Sequence, residues 1–176
     1  MTIGASAVRH ATITTPEIDE VILVATGHAV TGIYFPGHWT KPDWSTFGPE
    51  VDAASDPVLA DALGQLREYL GGTRQTFDFP IELTGNDFQR RVWKILRDIP
   101  FGETRTYGDI AEELGDRSLA RMVGQAVGHN PISIVVGCHR VVGKSGSLTG
   151  YAGGLARKAF LLDLEAPAHA LAARLF

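Results

Sequence analysis

The residues best suited to chemistry lie in ISIVVGCHRVVG, residues 132–143, and at Glu165. Cys138 is the only cysteine among 176 residues, and His139 and Arg140 follow it directly. The apolar runs Ile134-Val135-Val136 and Val141-Val142 close around this polar trio. A free thiol has a pKa of about 8.5, so only a few per cent is thiolate at neutral pH. A neighbouring imidazole can take its proton, and a carboxylate behind the imidazole fixes the tautomer and stabilises the cation. Cys138, His139 and Glu165 have the right types for such a relay. They read equally as a buried, inert cysteine, the commonest state of a lone one.

The elements that would position this set follow from periodicity. GGLARKAFLLDLEAP reads as a last helix with Leu155, Ala159 and Leu162 on one stripe and Leu161 beside it. Glu165 falls four residues after Leu161 and three after Leu162, toward the buried side. It also sits at the helix C-terminus, where the macrodipole disfavours negative charge, so it needs a partner. Upstream, TGNDFQRRVWKILRDIPFG carries Phe88, Val92, Ile95, Leu96 and Ile99 at helical spacing and ends at Pro100. TYGDIAEELGDRSLARMVGQAVGHNP then gives a short helix through Ile110, Ala111 and Leu114 and a turn at Gly115-Asp116-Arg117. A second helix would start at Ser118 as N-cap and run to about Gly128. Two short helices on such a turn form the helix-turn-helix pattern, which ordinary helical corners also produce. Ala120, Gly124, Ala126 and Gly128 keep the second helix small around Arg121. That suits close packing on another helix, or close approach to a nucleic-acid groove with Arg121 projecting.

The first half offers no comparable cluster. HATITT, VILVAT and VTGIYF read as strands of a small antiparallel sheet, separated at Pro16 and at Gly27-His28. DPVLADALGQLREYLGG reads as a helix capped by Asp56, with Pro57 in its first turn and Gly71-Gly72 as its stop. TFDFPIEL reads as a further strand or an extended connector. This half is expected to be a scaffold.

With 44% hydrophobic and 20% charged residues, the composition is that of a soluble globular protein and excludes a disordered chain. No apolar run nears the roughly 18–20 residues of a membrane span, and the N-terminal MTIGASAVRHATITTPEIDE lacks a secretion-signal layout. A single cysteine excludes an internal disulfide and multi-thiolate metal sites, and makes the reducing cytoplasm the expected location. Histidines 10, 28, 38, 129, 139 and 169 show no metal-ligand spacing. The net charge of −4 is unevenly spread. Residues 1–86 carry 4 basic against 11 acidic side chains, residues 87–176 carry 12 against 9. An acidic domain joined to a mildly basic one, or plain solvated surface charge, accounts for this equally.

GCHRVVGKSGSLTGYAGGLARKAFLLDLE resembles the active-site region of the O6-alkylguanine-DNA alkyltransferases, also called methylated-DNA–protein-cysteine methyltransferases, whose signature is Pro-Cys-His-Arg-Val. The resemblance extends through FQRRVWKILRDIPFGETRTYGDIAEELG and ARMVGQAVGHNP, dense over residues 87–165 and looser over 10–83. It implies an α/β N-terminal domain over 1–84, a small antiparallel sheet plus helix that is ribonuclease H-like. A mainly α, winged-helix-like domain with a helix-turn-helix follows over 85–176. It further implies a single-turnover transfer of alkyl groups from O6-alkylguanine, and O4-alkylthymine, in duplex DNA to Cys138. His139 acts as base through a water, Glu165 orients His139, Asn130 braces the turn, and Tyr107 binds the flipped base. Val141, Tyr151 and Ala152 complete the substrate contacts, the backbone N–H of Ala152 included. Arg121 enters the base stack from the minor groove, and Ser118, Ala120, Gly124 and Arg140 also meet DNA. The expected protein is a monomer with no cofactor, no metal and no membrane partner.

Two positions depart from the pattern. Gly137 stands where the family has proline, removing a φ constraint ahead of the thiol. Ala152 stands where a serine is frequent, at little cost if the contact is made by the backbone. On the relay reading alone, Glu165→Gln is expected to raise the Cys138 pKa and slow transfer with the fold retained. Two rivals remain: a cysteine hydrolase or acyltransferase acting on a small molecule, marked by repeated turnover, and a non-catalytic helix-turn-helix lesion sensor. Family members of the sensor type lack the acceptor cysteine, so Cys138 argues against it.

Overall fold

The structure, a computed structural model, describes residues 7–167; residues 1–6 and 168–176, with His169, lie outside the described residues. The chain divides into two compact units. One runs to Thr84 and also takes in Pro131–Val135; the other holds Gly85–Asn130 and the chain from Val136 onward. The stretch Pro131–Val135 thus clusters with the N-terminal residues, outside a simple cut at 84/85.

In the first unit, β1 (Val8–Thr15), β2 (Asp19–Thr26) and β3 (Ala29–Tyr34) form an antiparallel sheet in the order β1-β2-β3. β1 alternates buried and open positions from Ala11 to Thr15, as a half-covered strand does. β2 is buried continuously from Val21 to Ala25, because both of its faces are covered. Helix α1 (Pro57–Leu70) packs against β2 and β3, while Ile22 and Val24 join Phe47, Val8 and Tyr34 in a separate apolar cluster. Isolated bridges occupy both sheet edges: Glu50 pairs with His10 of β1, and Ile81 and Ile132 pair with Val30 and Ile33 of β3. TFDFPIEL is therefore an extended connector with one bridge at Ile81. The Pro131–Val135 stretch is held by Ile33 N donating to Pro131 O at 2.9 Å and by Ser133 N donating to Ile33 O at 3.2 Å.

The second unit is mainly helical. α2 (Asp87–Asp98) opens on a capping box between Asn86 and Gln89 and buries Val92, Trp93, Ile95 and Leu96. Trp93 Nε1 donates to Ala126 O at 2.8 Å, fixing α2 to α4 (Ala120–Gly128). β4 (Arg105–Thr106) leads into α3 (Tyr107–Glu113), which Thr106 and Asp109 cap reciprocally. Two sequence expectations are corrected in this unit. Ser118 does not cap α4: Arg117–Leu119 form a 3-10 turn capped by Asp116, whose Oδ1 accepts from Ser118 N at 2.8 Å. The buried face of α5 (Leu155–Glu165) is Lys158, Leu161 and Glu165, while Leu155 is exposed. Buried carbonyls and charged partners for Lys158 and Glu165 outweigh the apolar stripe, and Ala159 and Leu162 line a surface cavity instead. Among the described residues no helix is long and apolar enough to cross a membrane.

Asp56 is where sheet and helix of the first unit are fastened. Its Oδ1 accepts from Val58 N at 3.0 Å and Leu59 N at 3.1 Å, capping α1. Its carboxylate also pairs with the buried Arg9 guanidinium of β1, Nε to Oδ2 at 2.7 Å. The Arg9 hydrogen bond holds the carboxyl below its usual range, so this stabilisation is full above about pH 3.9 and is lost as pH falls through the depressed value. Asp56→Ala should cost about 3 kcal/mol or more, since it strands Arg9 and uncaps α1. Asp56→Asn, which keeps the cap oxygen, should cost less. Urea unfolding at pH 7 checks the order; equal midpoints for the two variants would contradict it.

Candidate active site

Cys138–Arg140 form a single 3-10 turn entered through Gly137, whose φ of −69° and ψ of 52° describe an inverse γ-turn. The turn closes with Cys138 N donating to Val136 O at 2.7 Å. β5 (Val141–Val142) follows at once and pairs in parallel with β4, Arg105 opposite Val141. Since β4 runs directly into Tyr107, this two-residue ladder sets the register between the Cys138 turn and the start of α3. Asn130 braces the turn: Nδ2 donates to Val136 O at 2.9 Å, and the side chain also hydrogen-bonds the Cys138 thiol.

Glu165 is the hub behind the thiol. Its Oε1 meets His139 Nε2 at 2.8 Å and accepts from Arg140 Nη2 at 2.8 Å, while Oε2 accepts from Arg140 Nε at 2.9 Å. Gly102 N donates to Oε2 at 3.4 Å from a left-handed φ of 82°. A Cβ on Gly102 would lie 2.9 Å from Glu165 O, so glycine is required there for both reasons. Arg140 completes its bonding by donating from Nη1 to Ile99 O at 2.6 Å. The expectation that Arg140 meets DNA is thereby corrected. All three of its nitrogens are bonded and the residue is buried, so the guanidinium is a structural counter-ion.

Protonation follows from this burial. Burial works to raise the Glu165 pKa, but the hydrogen bonds from His139 and Arg140 outweigh it and hold the carboxyl well below the usual carboxylate range. Burial lowers His139, so the ring is neutral at pH 7 with Nε2–H donating to an ionised Glu165. Nδ1 is then the basic nitrogen; it is buried and has no hydrogen-bond partner among the described residues. Burial also pushes the Cys138 thiol up, against the Asn130 hydrogen bond and the positive charge of Lys158. The resting site holds a neutral thiol beside a neutral, oriented base.

The other sequence candidates fall around this turn or on α4. Tyr107 is half-buried, and its Oη accepts from Thr149 Oγ1 at 3.2 Å. A Cβ on Gly124 would sit 3.8 Å from the Tyr107 ring, in ordinary contact. Val141 and Ala152 are buried, and Tyr151 is half-buried. Arg121 and Ser118 are exposed, and Ala120 is half-buried. Sequence reasoning missed Lys158, which is fully buried on α5. Its position three residues before Leu161 and seven before Glu165, on one helical face, was the available signal.

Two outcomes are expected from this geometry. Glu165→Gln leaves Arg140 buried without its counter-charge, so the fold is no longer expected to be retained at full stability. The loss should be about 3–5 kcal/mol at pH 7. Because the Glu165 pKa is depressed, its contribution is complete above about pH 4.3 and lost as pH falls through the depressed value, so the gap between parent and variant should narrow in acid. Urea midpoints across pH check this; equal midpoints at pH 7 would refute it. Gly137 already has a proline-like φ, and a Cβ there meets Arg140 Cδ at 3.0 Å, the stem of a long side chain, and more loosely the main-chain oxygen of Leu96 at 3.3 Å. Gly137→Pro should therefore fold with an unchanged or higher melting temperature, gaining at most about 1 kcal/mol from the restricted unfolded chain. A clear drop would mean that the Arg140 stem does not yield.

Comparison with known proteins shows the family of the chain. The 6-O-methylguanine DNA methyltransferase, DNA binding domain family matches residues 87–167. The methylated-DNA–protein-cysteine methyltransferase of Mycobacterium tuberculosis (strain ATCC 25618 / H37Rv) is 52% identical over 128 residues, covering 73% of this chain and 70% of that protein. The inducible methylated-DNA–protein-cysteine methyltransferase of Bacillus subtilis (strain 168) is 42% identical over 141 residues, covering 76% and 79%. The crystal structure of Mycobacterium tuberculosis OGT in complex with DNA superposes with a TM-score of 0.79 at 44% identity, covering 91% of this chain and 96% of that one. With a cysteine turn, a histidine and a buried carboxylate set on that shared fold, the chain belongs to the methylated-DNA–protein-cysteine methyltransferase family.

Proposed function

We propose that the chain repairs DNA by direct reversal, Cys138 taking the alkyl group from the O6 oxygen of alkylated guanine in duplex DNA, once per molecule. The observation that carries this reading is the buried His139–Glu165–Arg140 chain behind Cys138, in a member of this family. With Nε2 committed to Glu165, Nδ1 is the nitrogen left to accept the thiol proton, directly or through a water. The sulfur then attacks the alkyl carbon. The S–C bond forms as the C–O6 bond breaks, and the electron pair leaves on the guanine oxygen. Tyr107 donates toward the ring nitrogen of the departing base, and the proton lost from Cys138 balances the exchange. The products are unmodified guanine and S-alkylcysteine. A thiolate formed only in this buried setting is poorly solvated and reacts the faster for it. The same displacement serves O4-alkylthymine.

Recognition falls to the second unit. Arg121 projects from α4 among Ser118, Ala120 and Gly124, a small-residue surface suited to close approach to the minor groove. Flipping a base from a weakened pair costs a few kcal/mol, and the inserted arginine offsets part of the lost stacking. The basic excess of residues 87–176 supports a phosphate-based affinity that falls with salt. Val141, Tyr151 and the backbone N–H of Ala152 line the base site, with Asn130 holding the turn beneath. Residues 1–84 serve as scaffold, and residues 85–176 bind DNA and accept the alkyl group. The sheet with α1 supports a ribonuclease H-like assignment for the first part. The α3–α4 corner with its β4–β5 pair supports a winged-helix-like one for the second. A lone free thiol as acceptor fits a monomer working in the reducing cytoplasm.

An alkyl thioether has no good leaving group, so the reaction stops at one equivalent. Titrating excess duplex carrying O6-methylguanine against a known protein concentration should plateau at one lesion repaired per chain. Mass spectrometry should find a single methyl on the peptide carrying Cys138. Cys138 is 3% exposed, and close-packed interiors tolerate an added carbon poorly, so the methylated form should melt at a lower temperature. Continued turnover past one equivalent would overturn the proposal in favour of a hydrolase or acyltransferase.

A further inference from the structure

Lys158 is fully buried, and among the described residues its ammonium has no carboxylate in ion-pair reach. Isolated buried ammonium groups are costly, and such groups are paired or lose their proton. Here Nζ donates to two main-chain carbonyls, Val141 O at 2.5 Å and Thr149 O at 2.9 Å. The first belongs to the strand leaving the Cys138 turn. The second precedes Gly150-Tyr151-Ala152, and its own side chain touches the Tyr107 hydroxyl. One ammonium therefore ties together the thiol turn, the segment over residues 149–152 and, through Thr149, Tyr107.

The charged groups around Cys138 are few. His139 and Arg140 share its turn, Glu165 and Lys158 come from α5, and Tyr107 from α3 and Tyr151 are the other titratable side chains among the site residues. The carboxylate of Glu165 is already matched by Arg140. Burial lowers the Lys158 pKa and the charge of the Cys138 sulfur opposes that fall, just as the Lys158 charge opposes the rise of the thiol, so the two groups are coupled.

We propose that Lys158 is a positioning residue of the transfer reaction: it clips residues 149–152 to β5, and it supplies the buried positive charge that the Cys138 thiolate faces as it forms. This rests on the transfer reading above. When the thiol proton passes to His139, the new anion appears beside a cation already fixed in place. Once sulfur is alkylated that anion can no longer form, and Lys158 keeps a buried charge with no opposite charge to meet.

The test separates this role from the transfer itself. Iodoacetamide reacts with the Cys138 thiolate and needs no DNA, so its rate against pH reads the thiol in parent, Lys158→Met and Lys158→Arg. Lys158→Met should move the profile to higher pH, slowing alkylation and methyl transfer at neutral pH by about tenfold for each unit of displacement. The gap should close as pH rises, and Lys158→Arg should recover part of it. Affinity for undamaged duplex should stay unchanged. A Lys158→Met profile matching the parent in both position and rate would overturn the proposal. Should that variant not fold, the parent protein labelled at lysine Cε is titrated by NMR before and after S-methylation by iodomethane. The Lys158 titration should fall to lower pH on methylation, and an unmoved titration would overturn the proposal equally. Failure of the parent to take one methyl from O6-methylguanine duplex would instead sink the transfer reading, leaving the thiolate profiles to be judged by themselves.

Discussion

A carboxylate held ionised inside a protein constrains everything near it, and Glu165 is that constraint in this chain. It is 3% exposed and sits at the unfavourable end of a helix dipole, so its charge must be met by fixed donors. Arg140 grips both oxygens, His139 takes one of them, and Gly102 adds a backbone N–H. These partners come from the thiol turn and from the loop after α2, so one side chain ties two stretches of chain to α5. The imidazole tautomer, the direction of Nδ1 and the burial of Arg140 all follow from this single demand. So does the shape of the Cys138 turn, because Arg140 can reach Glu165 only if Cys138–Arg140 curl tightly behind Gly137.

That arrangement explains why the resting thiol stays protonated. Burial penalises every charged form, and behind Cys138 the carboxylate of Glu165 is matched by Arg140, while Lys158 is held by main-chain carbonyls. His139 is kept neutral yet hydrogen-bonded to an anion, so the penalty for protonating it is reduced in advance of the reaction. The site stores an oriented base and forms its ions only when a substrate draws the proton off.

Much of this was legible in the sequence, and the failures have specific causes. The three strands, α1 with its Asp56 cap, and α2 were readable because alternation, capping and helical spacing are local signals. Glu165 was identifiable as needing a partner because a charge at a buried helix C-terminus conflicts with local physics. Its arginine was not, since a guanidinium beside a reactive thiol, in a segment expected to face DNA, reads as a DNA contact until its burial is seen. Lys158 escaped for the opposite reason: the apolar stripe Leu155-Ala159-Leu162 offered a more conventional inner face for α5, and only the carbonyls of Val141 and Thr149 reverse it. Ser118 reads as a cap of α4 because it follows a glycine turn at the right distance, whereas Asp116 caps a 3-10 turn there and α4 starts from Leu119 with no side-chain cap.

The return of Pro131–Val135 to the first unit has a consequence for how the chain is made. Ile132 and Ile134 are core positions there, and Ile134 holds a left-handed φ of 73°, which costs a β-branched residue about 1–3 kcal/mol unless its surroundings enforce it. On the ribosome, residues 7–84 emerge without the segment that closes the outer edge of β3. At about 5–20 residues per second, some seconds pass before residue 135 is available. During that interval Ile33 presents an unpaired strand edge, and the N-terminal unit cannot complete its sheet until about half of the second unit has been synthesised. The two units are thus distinct in packing but not in biogenesis: a fragment ending at residue 84 lacks part of its own core.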